Sequence, residues 1–465
     1  MVNNMKKYFK KFKIEQLLYL FIIIAPILDA GSFLYKQAFP NSTITPTMII
    51  RTSIPFILFI YMMIKVPKER KKLIIFTILA IFYGIIHLLL VKKLILPISI
   101  GNIVQEANYI INYTYMVYLL MIFIYFKNEK DLKYLSNSLI ISLGIYLLII
   151  YFSIITGTSY STYVEGMGYK SYFVSGNSLC TTLLMLITVL LTQLKNKKVI
   201  NYILLVLAGI YLIFLVGTRT GMFGFILLMC AYLGLYILDK LFRNKKIETK
   251  KILSIIGASA VVILLIGYFG SETITRRMHI KEESNEIIDI NTNKAGHTTG
   301  DTAKFVYEIR NNTMDENLMT NEQRQAYLSM YDTCNELKID ANDSRSQQLI
   351  YHAYLIKHQH NILYILFGNG FIVNYGEMTL EMEIIAILFN FGLLGFILYI
   401  IPFIYVYIKL IKQVIKNKKR TIDDIIMLFT MLIVFGLSFM AGYVFFSGTC
   451  VLMLISMMSL IYKEV

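Results

Sequence analysis

Tryptophan is missing from this chain of 465 residues, and cysteine, histidine and proline are scarce, at four, six and seven copies. Four cysteines make no disulfide framework. Cys180, Cys230 and Cys450 fall within or beside apolar runs, where a thiol serves as a small apolar filler, and Cys334 stands alone in the one long polar segment. Histidine gives no metal centre: His358 and His360 of "HQH" are two apart, a spacing that neither a helix face nor a zinc site favours without further ligands. His352 is six residues upstream, and His87 and His279 have no partner that the sequence names. Charge is sparse too, at 16% of residues against 57% hydrophobic. Stretches of about 18 or more residues carry none, the length that spans a bilayer as helix. A soluble enzyme is excluded; the chain reads as an all-α, polytopic helical membrane protein.

Twelve such runs follow in order, at 17–35, 47–64, 73–91, 104–126, 134–155, 174–194, 199–216, 220–238, 252–269, 383–411, 424–443 and 447–462. The tenth is too long for one straight span, and "NFGLLGF" marks a break in it, with a short amphipathic helix leading into the membrane helix proper. The first run is full length behind a basic stretch, so it reads as a retained helix and not as a cleaved leader.

The formal net charge of +16 invites a nucleic-acid reading, which its distribution removes. Residues 271–380 hold ten basic and fifteen acidic side chains, so the basic excess lies in short loops: "KKYFKKFK", "KVPKERKK", "KNEKDLK", "KNKK", "DKLFRNKKIETKK" and "KLIKQVIKNKKR". These alternate along the chain and all fall on one side, the cytoplasmic side by the positive-inside rule, with Lys92 and Lys93 against it. Both termini are then cytoplasmic, and the charge adds a mild attraction to anionic membrane lipid. Residues 270–380 become an extracellular, partly helical cap loop between the ninth and tenth spans, dividing the membrane domain into 1–269 and 381–465.

Each polar group inside a span costs a few kcal/mol at the bilayer centre and tends to mark function. Asp29, Arg51, Glu106, Asn177, Arg219, Glu381 and Glu383 all lie toward the outer side. Single explanations exist: Asp29 with Arg51 as a structural ion pair, Asn177 as a helix cap, Arg219 snorkelling to phosphates. Scattered structural residues, however, have no reason to share one side.

Several stretches resemble the O-antigen ligase and polymerase superfamily, in the branch of Gram-positive capsule and cell-wall polysaccharide polymerases. They are "PILDAGSFL" with "MIIRTSIPFILF", "GTSYSTYVEGMGYKSYFVSGNSL", "GTRTGMFG", "SRSQQLIYHAYLIKHQHNILYILFGNGF" and "LEMEIIAILFNFGLLGFILY", and they run from the first span to the tenth. About twelve helices with a large outer loop between the ninth and tenth also match that layout, a GT-C-type fold. In the ligase branch a His, then Asn, Ser or Gln, stands nine residues before Gly-x-x-Gly. Counting back from Gly392 and Gly395 gives Glu381 and Met382, so "EME" is similar to an acidic variant and favours a polymerase.

The resemblance implies a glycosyltransferase of the bacterial cell membrane, without metal or other cofactor. It would act at the outer face on polyprenyl-diphosphate-linked oligosaccharide, alongside assembly partners such as a flippase and a chain-length regulator. Arg219 and Arg345 would clamp the diphosphate, Glu381 or Glu383 would take the acceptor's proton, and Arg51, Lys170, Asn177 and Asp29 would bind substrate. Bond cleavage builds negative charge on the phosphate, which a guanidinium meets with paired hydrogen bonds; a carboxylate can serve as base. The rivals are a ligase moving glycan to another acceptor, and a transporter or lipid-linked-oligosaccharide flippase. Carriers often show repeated halves and midplane polar groups, and neither is evident here.

Overall fold

A backbone surrounded by hydrocarbon has to satisfy its own N–H and C=O groups, and a run of Leu, Ile and Phe does so only as helix. The structure is a computed structural model. It describes residues 15–40, 42, 45–65, 67–94, 100–125, 129–163, 166–194, 199–242, 300–315, 319–339, 343–358, 361–371, 378–416, 421–440, 442 and 444–461. The first half comprises α1 (Glu15–Ala38), α2 (Pro46–Lys65), α3 (Pro67–Leu94), α4 (Ile100–Tyr125), α5 (Glu129–Ile155), a hairpin of β1 (Tyr160–Ser161) and β2 (Tyr169–Ser171), α6 (Gly176–Gln193), α7 (Val199–Ile210) and α8 (Arg219–Phe242). The second comprises α9 (Gly300–Arg310), α10 (Asn321–Glu336), α11 (Ser344–His358), α12 (Ile362–Phe367), α13 (Glu383–Tyr399), α14 (Ile401–Lys416), α15 (Ile422–Met440) and α16 (Gly448–Ile461).

Eight of these helices are long and apolar enough to cross a membrane, and α13 with α14, bent by 44°, makes a ninth. Two shorter apolar helices, Val199–Leu215 and Gly448–Ile461, fall on the seventh and twelfth apolar runs. The ninth run, 252–269, and the polar stretch after it to residue 299 lie outside the described residues. The chain is therefore a polytopic helical membrane protein, with one small antiparallel hairpin that the apolar pattern does not show.

The bundle is organised around α6. Its apolar window is 83% buried, against 17% for α2, so α6 is the core helix and α2 a peripheral one. Its neighbours are α5, α7, α8, α15 and α16. Glycine lets α8 approach it closely: a side chain at Gly224 would collide with Leu184, and one at Gly221 with Cys180 Sγ and Val216.

The expected break in the tenth run is present. Gly392 has φ of 68° and ψ of −174° inside α13, a conformation essentially reserved for glycine that costs other residues about 1–3 kcal/mol. The freed carbonyls are used by the loop after α12, where Asn369 N–H donates to Phe389 O (3.1 Å) and Gly370 N–H to Asn390 O (2.8 Å). Tyr83 donates its hydroxyl to Phe391 O at 2.7 Å. The loop itself is clamped from α3 and α4: His87 Nδ1 lies 2.7 Å from Phe367 O, His87 Nε2 lies 2.7 Å from Glu106 Oε1, and Phe371 N–H donates to Glu106 Oε2 at 3.0 Å. His87 and Glu106 are fully buried, so these contacts replace the water both groups have lost.

Helices α9 to α11 share a second apolar cluster, with Val306, Tyr327, Met330 and Tyr351 at its centre. The "TNEQ" at the start of α10 is a capping box: Gln323 N–H donates to Thr320 Oγ1, and Thr320 N–H to Gln323 Oε1. In α11, fully buried His352 holds the segment entering α13 through Nε2 and Met378 O (2.8 Å). Burial pushes its pKa down to about 4.

Two stability outcomes follow. Gly392→Ala meets both the positive φ and the backbone of Leu366 and Gly368, so the detergent-purified variant should melt several degrees lower. Gly234→Ala, where a Cβ meets nothing within 4 Å in mid-helix, should be neutral or slightly stabilising; equal melting of the two variants would contradict the assignment. For His352, the folded state binds its proton less readily than the unfolded state. Packing of α11 is therefore intact above about pH 6.5 and weakens as pH falls toward 4, by at most about 3 kcal/mol. Hydrogen exchange in α11 at pH 7 and pH 5 should show that loss in the wild type and a smaller one in His352→Gln.

Candidate functional site

Helix polarity brings the polar residues to one end of the bundle. Asp29 lies toward the C-terminal end of α1 and Arg51 near the start of α2, so a tight α1–α2 connection sets them side by side. Arg51 Nη2 donates to Asp29 Oδ1; Tyr146 and Thr449 donate hydroxyls to the same carboxylate at 2.8 and 2.9 Å. Tyr115 donates to the Arg51 carbonyl at 3.1 Å. Asp29 thus ties α1, α2, α5 and α16 together, with only about a quarter of the ion pair's side chains exposed. The structural ion pair anticipated for these two residues is present.

The two glutamates of "EME" have opposite environments. Glu383 opens α13 with 5% exposure. Its carboxylate accepts from Ser438 Oγ (3.1 Å) and from three consecutive peptide N–H groups, Val444 (2.7 Å), Phe445 (2.8 Å) and Phe446. Such a run of N–H groups is an anion nest, here filled by the chain itself. Glu381 lies two residues earlier, with Met382 in extended conformation between them. Its backbone N–H donates to Gln348 Oε1 at 3.0 Å, and its carboxylate accepts from Arg345 Nε at 3.2 Å with 37% of the side chain exposed. Arg345, in the first turn of α11, is 43% exposed.

Arg219 is the first residue of α8 and is exposed. Everything around it is tightly held. Gly217 takes φ of 76°, a turn conformation that glycine adopts without steric cost. Thr218 caps α8, its Oγ1 accepting from Gly221 N–H at 3.0 Å and lying 3.1 Å from Cys180 Sγ. Gly221 serves the turn by close packing and not by an unusual backbone angle. The hairpin closes over the turn: Thr162 Oγ1 donates to Val216 O at 2.7 Å and Tyr211 to Tyr169 O at 2.8 Å. A π-helical turn, Tyr211–Leu215, precedes it, a feature frequent at functional sites. Only the Arg219 side chain leaves this assembly, with no hydrogen bond or ion pair among the described residues.

Lys170, on β2, places Nζ 5.7 Å from the Phe33 ring centroid at the same end of α1. Asn177 lies inside α6, its carbonyl accepting from Thr181 Oγ1 at 2.9 Å, while the N-cap position is Ser175. Continuity between these parts runs through α6 and α16. Thr218 touches Cys180, Thr182 hydrogen-bonds Cys450, and Thr449 reaches Asp29. The structure thus pairs Asp29 with Arg51 and Arg345 with Glu381, isolates Arg219, and encloses Glu383. His358 stacks on Tyr354 at 3.8 Å; His360 and His279 lie outside the described residues.

The sequence marks Glu106 as a polar group within a span but leaves His87 without a partner, because a lone histidine and a carboxylate 19 residues apart look unrelated. The available signal is that both are polar and sit at facing ends of consecutive spans. Chemically, the arrangement offers exposed guanidinium groups for an anion and one accessible carboxylate for a proton.

No curated protein and no solved structure matches the chain. A family model described as O-antigen ligase like membrane protein matches residues 11–464. With nearly the whole chain covered, this multi-pass protein, whose role lies in glycan transfer at a membrane, belongs to the O-antigen ligase-like membrane protein family.

Proposed function

We propose that the protein is a polysaccharide polymerase-like glycosyltransferase of the bacterial cell membrane, joining polyprenyl-diphosphate-linked oligosaccharide units at the outer face. The observation that carries this reading is the contrast at "EME": one carboxylate is buried as an anchor and the other stands accessible beside a guanidinium. In this reading the acceptor hydroxyl oxygen attacks the donor's anomeric carbon. The bond from that carbon to the phosphate oxygen breaks, its electron pair going to the diphosphate, and the hydroxyl proton passes to Glu381. Arg345 and Arg219 meet the charge that develops on the diphosphate, the part a metal ion plays in other phosphate chemistry. Glu383 holds Glu381 in place through the 444–446 nest. Asp29 and Arg51 fix the helix ends that frame the site and, with Lys170 and Asn177, bind the substrate in this reading. Helices α9 to α11, in residues 270–380, form an outer cap that brings in Arg345, and both termini face the cytoplasm.

The family description favours a second reading, transfer of glycan to a different acceptor. Reconstitution with a polyprenyl-diphosphate repeat unit tests both. A ladder of longer lipid-linked products is expected; a single transfer to another acceptor supports the ligase reading, and translocation without bond formation ends both.

Glu381→Gln should fold, because the backbone bond to Gln348 remains, and lose about 10² to 10⁴ in rate, the usual contribution of a general base. Glu383→Gln should instead melt at lower temperature, since an amide offers one acceptor oxygen where the nest uses two. Near-normal turnover of purified Glu381→Gln would remove the base assignment. Arg219→Lys keeps the charge and loses the planar fork that binds two phosphate oxygens. It should fold normally and lose most activity, with Arg219→Ala lower still; turnover of the lysine variant within about twofold of wild type would sink the clamp.

A further inference from the structure

The accessible carboxylate and the guanidinium beside it are each other's partners: Glu381 Oε2 accepts from Arg345 Nε at 3.2 Å. Two other carboxylates of the site are each fixed from several sides, and this one is not. Asp29 is held by Arg51, Tyr146 and Thr449 together, and Glu383 by four donors. The Glu381 carboxylate meets one guanidinium nitrogen, and both partners are more than a third exposed. The segment around it keeps its place without that contact, through Glu381 N–H on Gln348, His352 on the Met378 carbonyl, and Glu383 in its nest. The pair can therefore open while the backbone stays where it is.

We propose that the Glu381 carboxylate is a resident substitute for a phosphoryl group: it occupies Arg345 until a diphosphate displaces it, and that displacement uncovers the base when the donor is in place. The inference rests on the reading of the site given above. A guanidinium fork donates to carboxylate and phosphate oxygens alike, and a diphosphate brings more charge to the exchange. A half-exposed pair holds too little free energy to resist it. No covalent bond changes in the exchange; one anion leaves the guanidinium and another arrives. Donor binding and exposure of the base become one event.

The test measures affinity of the detergent-purified full chain for farnesyl diphosphate, a sugar-free polyprenyl diphosphate, with farnesol as the control for tail binding. Glu381→Gln should bind farnesyl diphosphate, which has no sugar to transfer, about threefold or more tighter than wild type, the size of effect that a half-exposed pair can withhold. Glu381→Asp, a methylene shorter and so less able to reach Arg345, should shift the same way. Arg345→Gln should bind weakly, and the double variant Arg345→Gln with Glu381→Gln no better. Unchanged or weaker binding by Glu381→Gln overturns the exchange. So does a gain that survives in the double variant, which would be simple removal of negative charge. If wild type prefers the diphosphate to farnesol and Arg345→Gln abolishes that preference without any gain from Glu381→Gln, the exchange fails and the diphosphate site stands. If wild type shows no such preference, both fail.

Discussion

Irregular backbone inside an apolar bundle has to find its hydrogen bonds from side chains, and the two buried acids among the described residues serve that requirement. Glu383 supplies acceptors to three consecutive peptides at 444–446, and Glu106 to the peptide of Phe371. Both stretches are non-helical: the first receives the opening residue of α13, and the second follows the loop that bonds the carbonyls freed where α13 is interrupted at Gly392. Removing either carboxylate would strand buried donors, at about 1–3 kcal/mol each. The polar groups that look most expensive in the sequence thus hold the shape of the site, and few are left for chemistry.

That division explains how "EME" can contain two unlike acids. Met382 takes an extended conformation before α13 begins, so the side chains on either side of it leave in different directions. One enters the nest and the other stays accessible beside α11. A two-residue tether from a four-donor anchor holds the second carboxylate's backbone with little freedom, which is what placing a reacting group within a fraction of an ångström asks for.

The helical membrane class, eleven of the apolar runs and the break in α13 were legible because each is a matter of length and hydropathy, quantities that act locally. Asp29 and Arg51 were visible as anomalies for the same reason, and their pairing follows from a short connection between consecutive helices. What could not be read depends on distant contacts. Glu383 meets its donors some sixty residues away, so nothing near "EME" distinguishes it from Glu381. His87 looked solitary because its partners come from α4 and from a loop 280 residues on. The 160–171 hairpin is too short to show alternation, and its role in burying the turn before α8 rests on glycines at 168 and 176 that let it approach Val216 and Thr218.

Arg219 is the first residue of α8, and the first turn of a helix carries unsatisfied N–H groups equivalent to about half a positive charge. A guanidinium there is in the wrong place electrostatically: it faces the positive pole of its own helix, where an acid would be favoured, at a cost of about 0.3–1 kcal/mol. The surrounding turn, closed by Thr218 and the hairpin, does not let the backbone relax to relieve it. The exposed guanidinium at this corner thus sits in the field of its own helix, a small electrostatic strain that the turn keeps in place and solvent screens.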